Sequence, residues 1–412
     1  MNSKRMDLNK VEVWDGNMAN SQAFRQAEVD VVSAYPITPS TATVENYAMF
    51  KANGYVDGEV IMVESEHAAM SGCIGAGAAG GRVATATSSQ GLALMIETLY
   101  QASGMRIPVV LCLVNRALSA PLNVNGDHSD LYLTRDCGWV SIDAFSPQQA
   151  YDMTLMAFKI SEHPAVRLPV ISNQDGFMTS HTAQNVQPLT DEVARKFVGD
   201  YVPVNALLNF DTPITHGVQT EQDWHFEHKA KQHAALMGSK EVIKEVFKEF
   251  KELTSREYNL VETYGMEDAD IAIVCLGSTF ETAIIAIDQF REETGIKVGV
   301  VAPRVFRPFP LEEMAEALKN VKGIICMDRS APGGTVGTLY NEIAGALFNS
   351  PNRPLLRNII YGLGGRDMTV KGLKEIFTEL NEEVNGNKET KIQRFVGVRG
   401  PELSFYDIKG DK

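Results

Sequence analysis

The chain has 412 residues, of which 38 are basic and 52 acidic, giving a formal net charge of -14, with 44% hydrophobic and 22% charged residues. That length exceeds one ordinary core, so two or three domains are expected, and the composition is that of a soluble globular protein. The acidic balance argues against nucleic acid or an anionic membrane surface as a partner; no apolar leader core or membrane-length run occurs, so the cytoplasm is the expected location.

From the N-terminus, short β-branched runs (VDVVSAY, VIMVES, VATATSS, PVVLCLV and PVISNQD) alternate with helical patterns before residue 180. Such alternation predicts an α/β fold with a doubly wound parallel sheet covered on both faces. The first run ends in YPITPST, where Pro36 and Pro39 lack backbone donors and force a short rigid loop; Ser40 and Thr41 are placed to cap the next helix. A helix of unusually small residues, HAAMSGCIGAGAAGG, follows VIMVES, which makes sense if something approaches it closely. Residues 183 to about 265 read as a linker plus a bracing amphipathic helix, KEVIKEVFKEFKEL. A second βαβ series runs from DIAIVCLGS through KVGVVAPRVF, KGIICMDRS and RNIIYGLGGRD to the helix GLKEIFTEL. The expected division is residues 1–255 and 256–412, with a polar tail after about 385 wrapping a surface or a partner.

Candidate chemistry gathers at the carboxyl ends of the first strands, where open α/β sheets bind ligands. Tyr35 and Thr38 present hydroxyls from the proline loop. Glu64 and Glu66 begin the small-residue helix, where a carboxylate either complements the helix dipole or faces the crevice and shares a proton with a ligand nitrogen. TSSQG, residues 87–91, is a hydroxyl-rich turn that serves as an N-cap or a ligand loop, and it lacks the lysine of a Walker motif. Arg116 follows PVVLCLV and offers a fork for a carboxylate. GDHSD, residues 126–130, reads as a self-satisfied polar loop, with a metal site through Asp127, His128 and Asp130 as the alternative. GLGGRD, residues 362–367, reads as a structural turn. The five cysteines have no CxxC or CxxxC spacing, so no local zinc or iron-sulfur cradle is expected.

Taken together, YPITPST, VESEHAAMSGCIGA, ATATSSQGLALM and NRALSAPLNVNGDHSD resemble the alpha subunit of pyruvate:ferredoxin oxidoreductase and its relatives acting on branched 2-oxoacids. The likeness runs from about residue 10 to about 375 and includes RPFP and GLGGRD. It implies a thiamine-diphosphate pyrimidine-binding domain followed by a domain like the transketolase C-terminal one. By motif, Glu66 hydrogen-bonds the aminopyrimidine of the cofactor, while Thr38 and Arg116 receive the substrate's carboxylate and keto group. Ser89 and Gln90 are further candidate cofactor contacts, and Tyr35 a further substrate contact. The implied reaction is oxidative decarboxylation of pyruvate to acetyl-CoA with electrons passed to ferredoxin; a 2-oxoisovalerate enzyme and a non-redox thiamine enzyme are the alternatives. No diphosphate and magnesium motif or cysteine cluster motif is present. The resemblance therefore implies a beta subunit carrying the diphosphate, magnesium and a cluster, gamma and ferredoxin-like delta subunits, and coenzyme A and ferredoxin as further partners.

Overall fold

A computed structural model describes residues 4–388 and 390–399. The first half contains β1 (Glu12–Trp14), β2 (Val31–Ala34), β3 (Glu59–Met62), β4 (Val83–Thr87), β5 (Val109–Asn115), β6 (Val140–Ala144), β7 (Val170–Asp175) and β8 (Gln184–Val186). The second contains β9 (Val261–Tyr264), β10 (Ile271–Val274), β11 (Val298–Pro303), β12 (Val305–Arg307), β13 (Gly323–Asp328), β14 (Leu355–Ile360) and β15 (Gln393–Phe395).

Two parallel sheets result, as the alternation of strands and helices leads one to expect. The first has seven strands in the order β12-β6-β7-β5-β4-β2-β3. Every pairing in it is parallel except that of β12 with β6. Its central strand β5, VVLCLVN, is buried along its whole length, so both faces are covered and the run is apolar rather than alternating. The second sheet has the order β15-β14-β13-β10-β11-β9, with only β9 antiparallel. β1 and β8 form a small antiparallel pair beside the first sheet.

The halves are interwoven. Residues 305–307 leave the second βαβ series to close the edge of the first sheet, and Phe306, Met314 and Ile324 share one apolar core with Met70, Leu92 and Leu111. On the opposite face of the first sheet, the helix Gln222–Thr254 lays Val242, Ile243, Val246 and Phe250 into the core that contains Leu155 and Phe158 of the helix Pro147–Glu162, which is the bracing role expected of it. Part of the polar tail forms β15 along β14; residues 400–412 lie outside the described residues.

The small-residue helix Glu66–Ala79 needs its glycines because protein approaches it closely. A Cβ at Gly72 would stand 2.5 Å from Ser33 Oγ of β2, and one at Gly77 would stand 2.5 Å from Ile107 Cγ2. The loop before the helix Thr41–Ala52 departs from the expected cap: Ser40 occupies the cap position, but its hydroxyl donates back to the Ile37 carbonyl at 2.8 Å. The hydroxyl closes the rigid loop instead of capping the helix.

Candidate active site

Strand order marks the place for a ligand. From β2 the chain steps to β3 on one side, then returns to β4 and β5 on the other, so the order reverses between β2 and β4. A crevice opens outside the carboxyl ends of strands at such a reversal. The loops there are YPITP after β2 and TSSQG after β4, flanked by the starts of the Glu66 helix and the Arg116 loop.

Glu64 is exposed, whereas Glu66 is buried with 7% of its surface accessible. The helix cap is supplied by Ser65, whose Oγ accepts from the Ala68 amide at 3.2 Å, so Glu66 is not needed for capping. Among the described residues the Glu66 carboxylate accepts no hydrogen bond. The residue is buried but its carboxylate oxygens are not completely enclosed, so the acceptor is open to a donor from outside the chain. Space for one is preserved: a Cβ at Gly91 would stand 2.7 Å from Glu66 Oε1 and 2.6 Å from Thr87 Oγ1. The hydroxyls of Thr87 and Ser88 in the same turn are also buried without partners. A carboxylate acceptor, two unpartnered hydroxyls and a side-chain-free glycine suit the polar aminopyrimidine end of thiamine diphosphate.

Ser89 is fully buried and held at φ +50, a conformation unusual for a residue with a Cβ. Its Oγ donates to the Ala117 carbonyl at 2.6 Å and meets Gln90 Oε1, while Gln90 Nε2 donates to Ser119 Oγ. The turn is thereby tied to the loop that follows β5.

The structure brings Arg116 and Thr38 together through main chain rather than through the Thr38 hydroxyl. Arg116 Nη1 donates to the Thr38 carbonyl at 2.9 Å and Nε to the Asn123 carbonyl at 3.0 Å, leaving Nη2 without a protein acceptor among the described residues. Burial lowers the Arg116 pKa from its usual value, opposed by the Asp130 carboxylate; a guanidinium remains charged at neutral pH regardless. Thr38 is exposed, and so is Tyr35, at 38%. No hydrogen bond joins Glu66 to Arg116 or Thr38 among the described residues.

The GDHSD loop sends its three ligand-type side chains to different places. Asp127 accepts from the Gly364 amide at 3.1 Å, His128 Nε2 meets Asp175 Oδ1 at 2.7 Å, and Asp130 bonds the ends of β4 and β5. Among the described residues, no three His, Cys, Asp or Glu side chains are placed to hold a metal ion, and all five cysteines are buried and unpaired. The sequence offered Asp130 as part of a self-satisfied polar loop or as a metal ligand, and its bonds to the two strand ends were not visible there. GLGGRD docks on this loop: a Cβ at Gly365 (φ +83) would meet Asn125 Cβ at 2.4 Å.

A parallel α/β sheet with a buried acidic residue at its order reversal marks an open α/β protein with a ligand crevice at the strand ends. Residues 22–248 match the family described as pyruvate flavodoxin/ferredoxin oxidoreductase, thiamine diphosphate-binding, and residues 269–373 match pyruvate:ferredoxin oxidoreductase core domain II. The chain is 45% identical over 384 residues to pyruvate synthase subunit PorA of Thermotoga maritima, covering 93% of this chain and 97% of that one. It is 42% identical over 406 residues to ketoisovalerate oxidoreductase subunit VorA of Pyrococcus horikoshii, covering 98% and 100%. A solved 2-oxoglutarate:ferredoxin oxidoreductase from Magnetococcus marinus superposes with a TM-score of 0.69 at 21% identity, over 91% of this chain and 66% of that one, a likeness of fold. The chain belongs to the pyruvate:ferredoxin oxidoreductase family, a family of enzymes.

Proposed function

We propose that this chain is the alpha subunit of a cytoplasmic, multi-subunit pyruvate:ferredoxin oxidoreductase, which converts pyruvate and coenzyme A to acetyl-CoA and carbon dioxide and passes the electrons to ferredoxin. The observation that carries the reading is Glu66, a largely buried residue whose carboxylate has no protein partner among the described residues, beside Gly91 and the turn of Thr87 and Ser88 at the order reversal of the first sheet. When bound, thiamine diphosphate supplies the electron sink for decarboxylation. Residues 1–255 carry the pyrimidine-binding unit and its linker, and 256–412 a second α/β unit docked on it.

Glu66 would hold the aminopyrimidine and could exchange a proton with it, a role that helix capping by Ser65 leaves it free to play. Ser89 and Gln90 line the cofactor side of the same turn. Arg116 directs its remaining Nη2 donor at the substrate carboxylate, with Thr38 and Tyr35 offering hydroxyls at the mouth. Partner subunits supply the diphosphate and magnesium site, the iron-sulfur clusters and the ferredoxin contact.

A branched-chain 2-oxoacid substrate is the second reading, favoured by the 42% identity to a ketoisovalerate oxidoreductase subunit. Of Tyr35, Thr38 and Arg116 only Arg116 is cationic, which suits an acid with one carboxylate. The test is to purify the native complex and measure carbon dioxide release with coenzyme A and an electron acceptor over a panel of 2-oxoacids. Preference for pyruvate over 2-oxoisovalerate is expected; the reverse preference supports the second reading, and no thiamine-dependent release with either acid overturns both.

A further inference from the structure

The turn that holds Ser89 and the strand end that holds Arg116 meet on one side chain. Asp130 is fully buried, and its Oδ2 accepts from the Ser89 amide at 2.8 Å and from the Arg116 amide at 2.9 Å. Its Oδ1 accepts from Asn115 Nδ2 at 2.9 Å and from the Leu131 amide at 2.8 Å. One carboxylate therefore pins the exits of the neighbouring strands β4 and β5 to each other. The bond to the Ser89 amide falls at the residue whose backbone is held in the left-handed region, a conformation that persists only where its surroundings over-determine it. The segment that carries Asp130 is tied to both halves of the chain, because His128, two residues earlier, is bonded to Asp175 of the first sheet through its side chain and to the Arg329 carbonyl of the second half through its amide.

We infer that Asp130 is a positioning residue, which sets the Ser89 turn and the Arg116 backbone at the distance and orientation the cofactor and substrate require. The inference rests on the function proposed above. Burial pushes its carboxyl up to about 7, and the bonds from Ser89, Arg116 and Asn115 pull the other way, since each needs the ionised acceptor or at least its oxygens. An amide at the same position can keep part of the clamp: its oxygen still accepts from the Ser89 and Arg116 amides, and Asn115 Oδ1, which has no partner, can turn to receive its N–H. The Leu131 bond would then be lost.

The variants are Asp130→Ala, Asp130→Asn and, as a control, Asp152→Asn, which alters an equally buried carboxylate bonded to Arg256 and Tyr258 away from the crevice. Displacing reactive groups by about 1 Å costs on the order of a hundredfold, so in the assembled complex Asp130→Ala should lose roughly that in kcat/KM, with KM for the 2-oxoacid raised as well as kcat lowered. Asp130→Asn should recover to within about tenfold, and Asp152→Asn should lower the melting temperature with KM unchanged. Hydrogen exchange supplies a readout that does not depend on turnover. In Asp130→Ala the peptides containing Ser89 and Arg116 should exchange at least about tenfold faster while the helix Pro147–Glu162 keeps its protection. An Ala variant that behaves as the Asp152 control does, less stable but with unchanged KM and unchanged local exchange, overturns the inference. If the wild-type complex shows no thiamine-dependent turnover, the functional reading falls while the exchange data still decide whether Asp130 holds the two strand ends.

Discussion

The molecule contains two parallel sheets, each with a reversal of strand order beside an early strand, yet these two reversals are used in opposite ways. In the first sheet the reversal lies between β2 and β4, and the crevice there holds the unpartnered Glu66 carboxylate with the unpaired hydroxyls of Thr87 and Ser88. In the second it lies between β10 and β13, and a carboxylate from the first sheet fills it. Asp175, at the end of β7, accepts from the Ser278 amide at 2.9 Å, from Ser278 Oγ at 2.5 Å and from Arg329 Nη1 at 3.2 Å, and meets His128 Nε2. It sits where an anionic ligand would, at the start of the helix Thr279–Thr294. Gly277 (φ +69) makes the approach possible, since a Cβ there would stand 2.7 Å from both Asp175 oxygens. Burial alone would raise the Asp175 carboxyl, but His128, Arg329 and Ser278 outweigh it and hold the pKa well below the usual range. Among the described residues, every buried side-chain polar atom lacking a hydrogen bond lies before residue 180, apart from Glu313 Oε2, which is 2.7 Å from Lys240 Nζ. The difference teaches that topology offers a crevice, and the pairing of its polar groups decides whether it takes a ligand or becomes a joint.

Substitutions in the two crevices should separate these uses. Arg116→Ala removes a charge-assisted donor worth about 1.5–3 kcal/mol, so kcat/KM for the 2-oxoacid should fall roughly ten- to several-hundred-fold in steady-state assays of the complex. Gly91→Ala pushes a methyl group into Glu66 and Thr87, and should cost about a hundredfold in turnover with the melting temperature of the complex little changed. Thr38→Val keeps shape and loses one hydroxyl, so its effect on kcat/KM should be about tenfold or less. Its carbonyl bond to Arg116 survives the change, and a double-mutant cycle with Arg116→Ala should show non-additivity. Asp328→Asn belongs to the second crevice. There the carboxylate accepts from the Leu339 and Tyr340 amides and from Asn358 Nδ2, and the change should cost about 1–3 kcal/mol of stability in an unfolding experiment while kcat/KM moves less than about twofold.

Much of the architecture was legible because it rests on local pattern. The β-branched runs became β2, β3, β4, β5 and β7, and the charged amphipathic stretch became the long bracing helix. Two features escaped because they depend on partners far away in sequence. VFR at 305–307 reads as part of the second series, and only its pairing with Ile142 and Ser141 assigns it to the first sheet. VSIDA at 140–144 is a fully buried strand whose Ser and Asp interrupt the apolar run by which such strands are found. In the site, Glu66, Arg116, Ser89 and Gln90 stand at strand ends, where position alone makes a residue a candidate. Asp130 looked like one more acid in a polar loop or a metal ligand beside Asp127 and His128, because nothing local reveals that the Ser89 and Arg116 amides converge on it. For Arg116 the sequence suggested a free fork; the carbonyls of Thr38 and Asn123, which occupy two of its nitrogens, carry no side-chain signal.

The central claim is that the Glu66 carboxylate is kept unpaired for the cofactor, and Glu66→Gln tests it most directly, because the amide preserves size and removes proton affinity. Turnover of the assembled complex, measured with saturating thiamine diphosphate, 2-oxoacid, coenzyme A and electron acceptor, should fall by roughly two to four orders of magnitude while the variant complex assembles and melts as the wild type does. Turnover within a few-fold of wild type would contradict the account and leave Glu66 as an ordinary acid in the first turn of a helix.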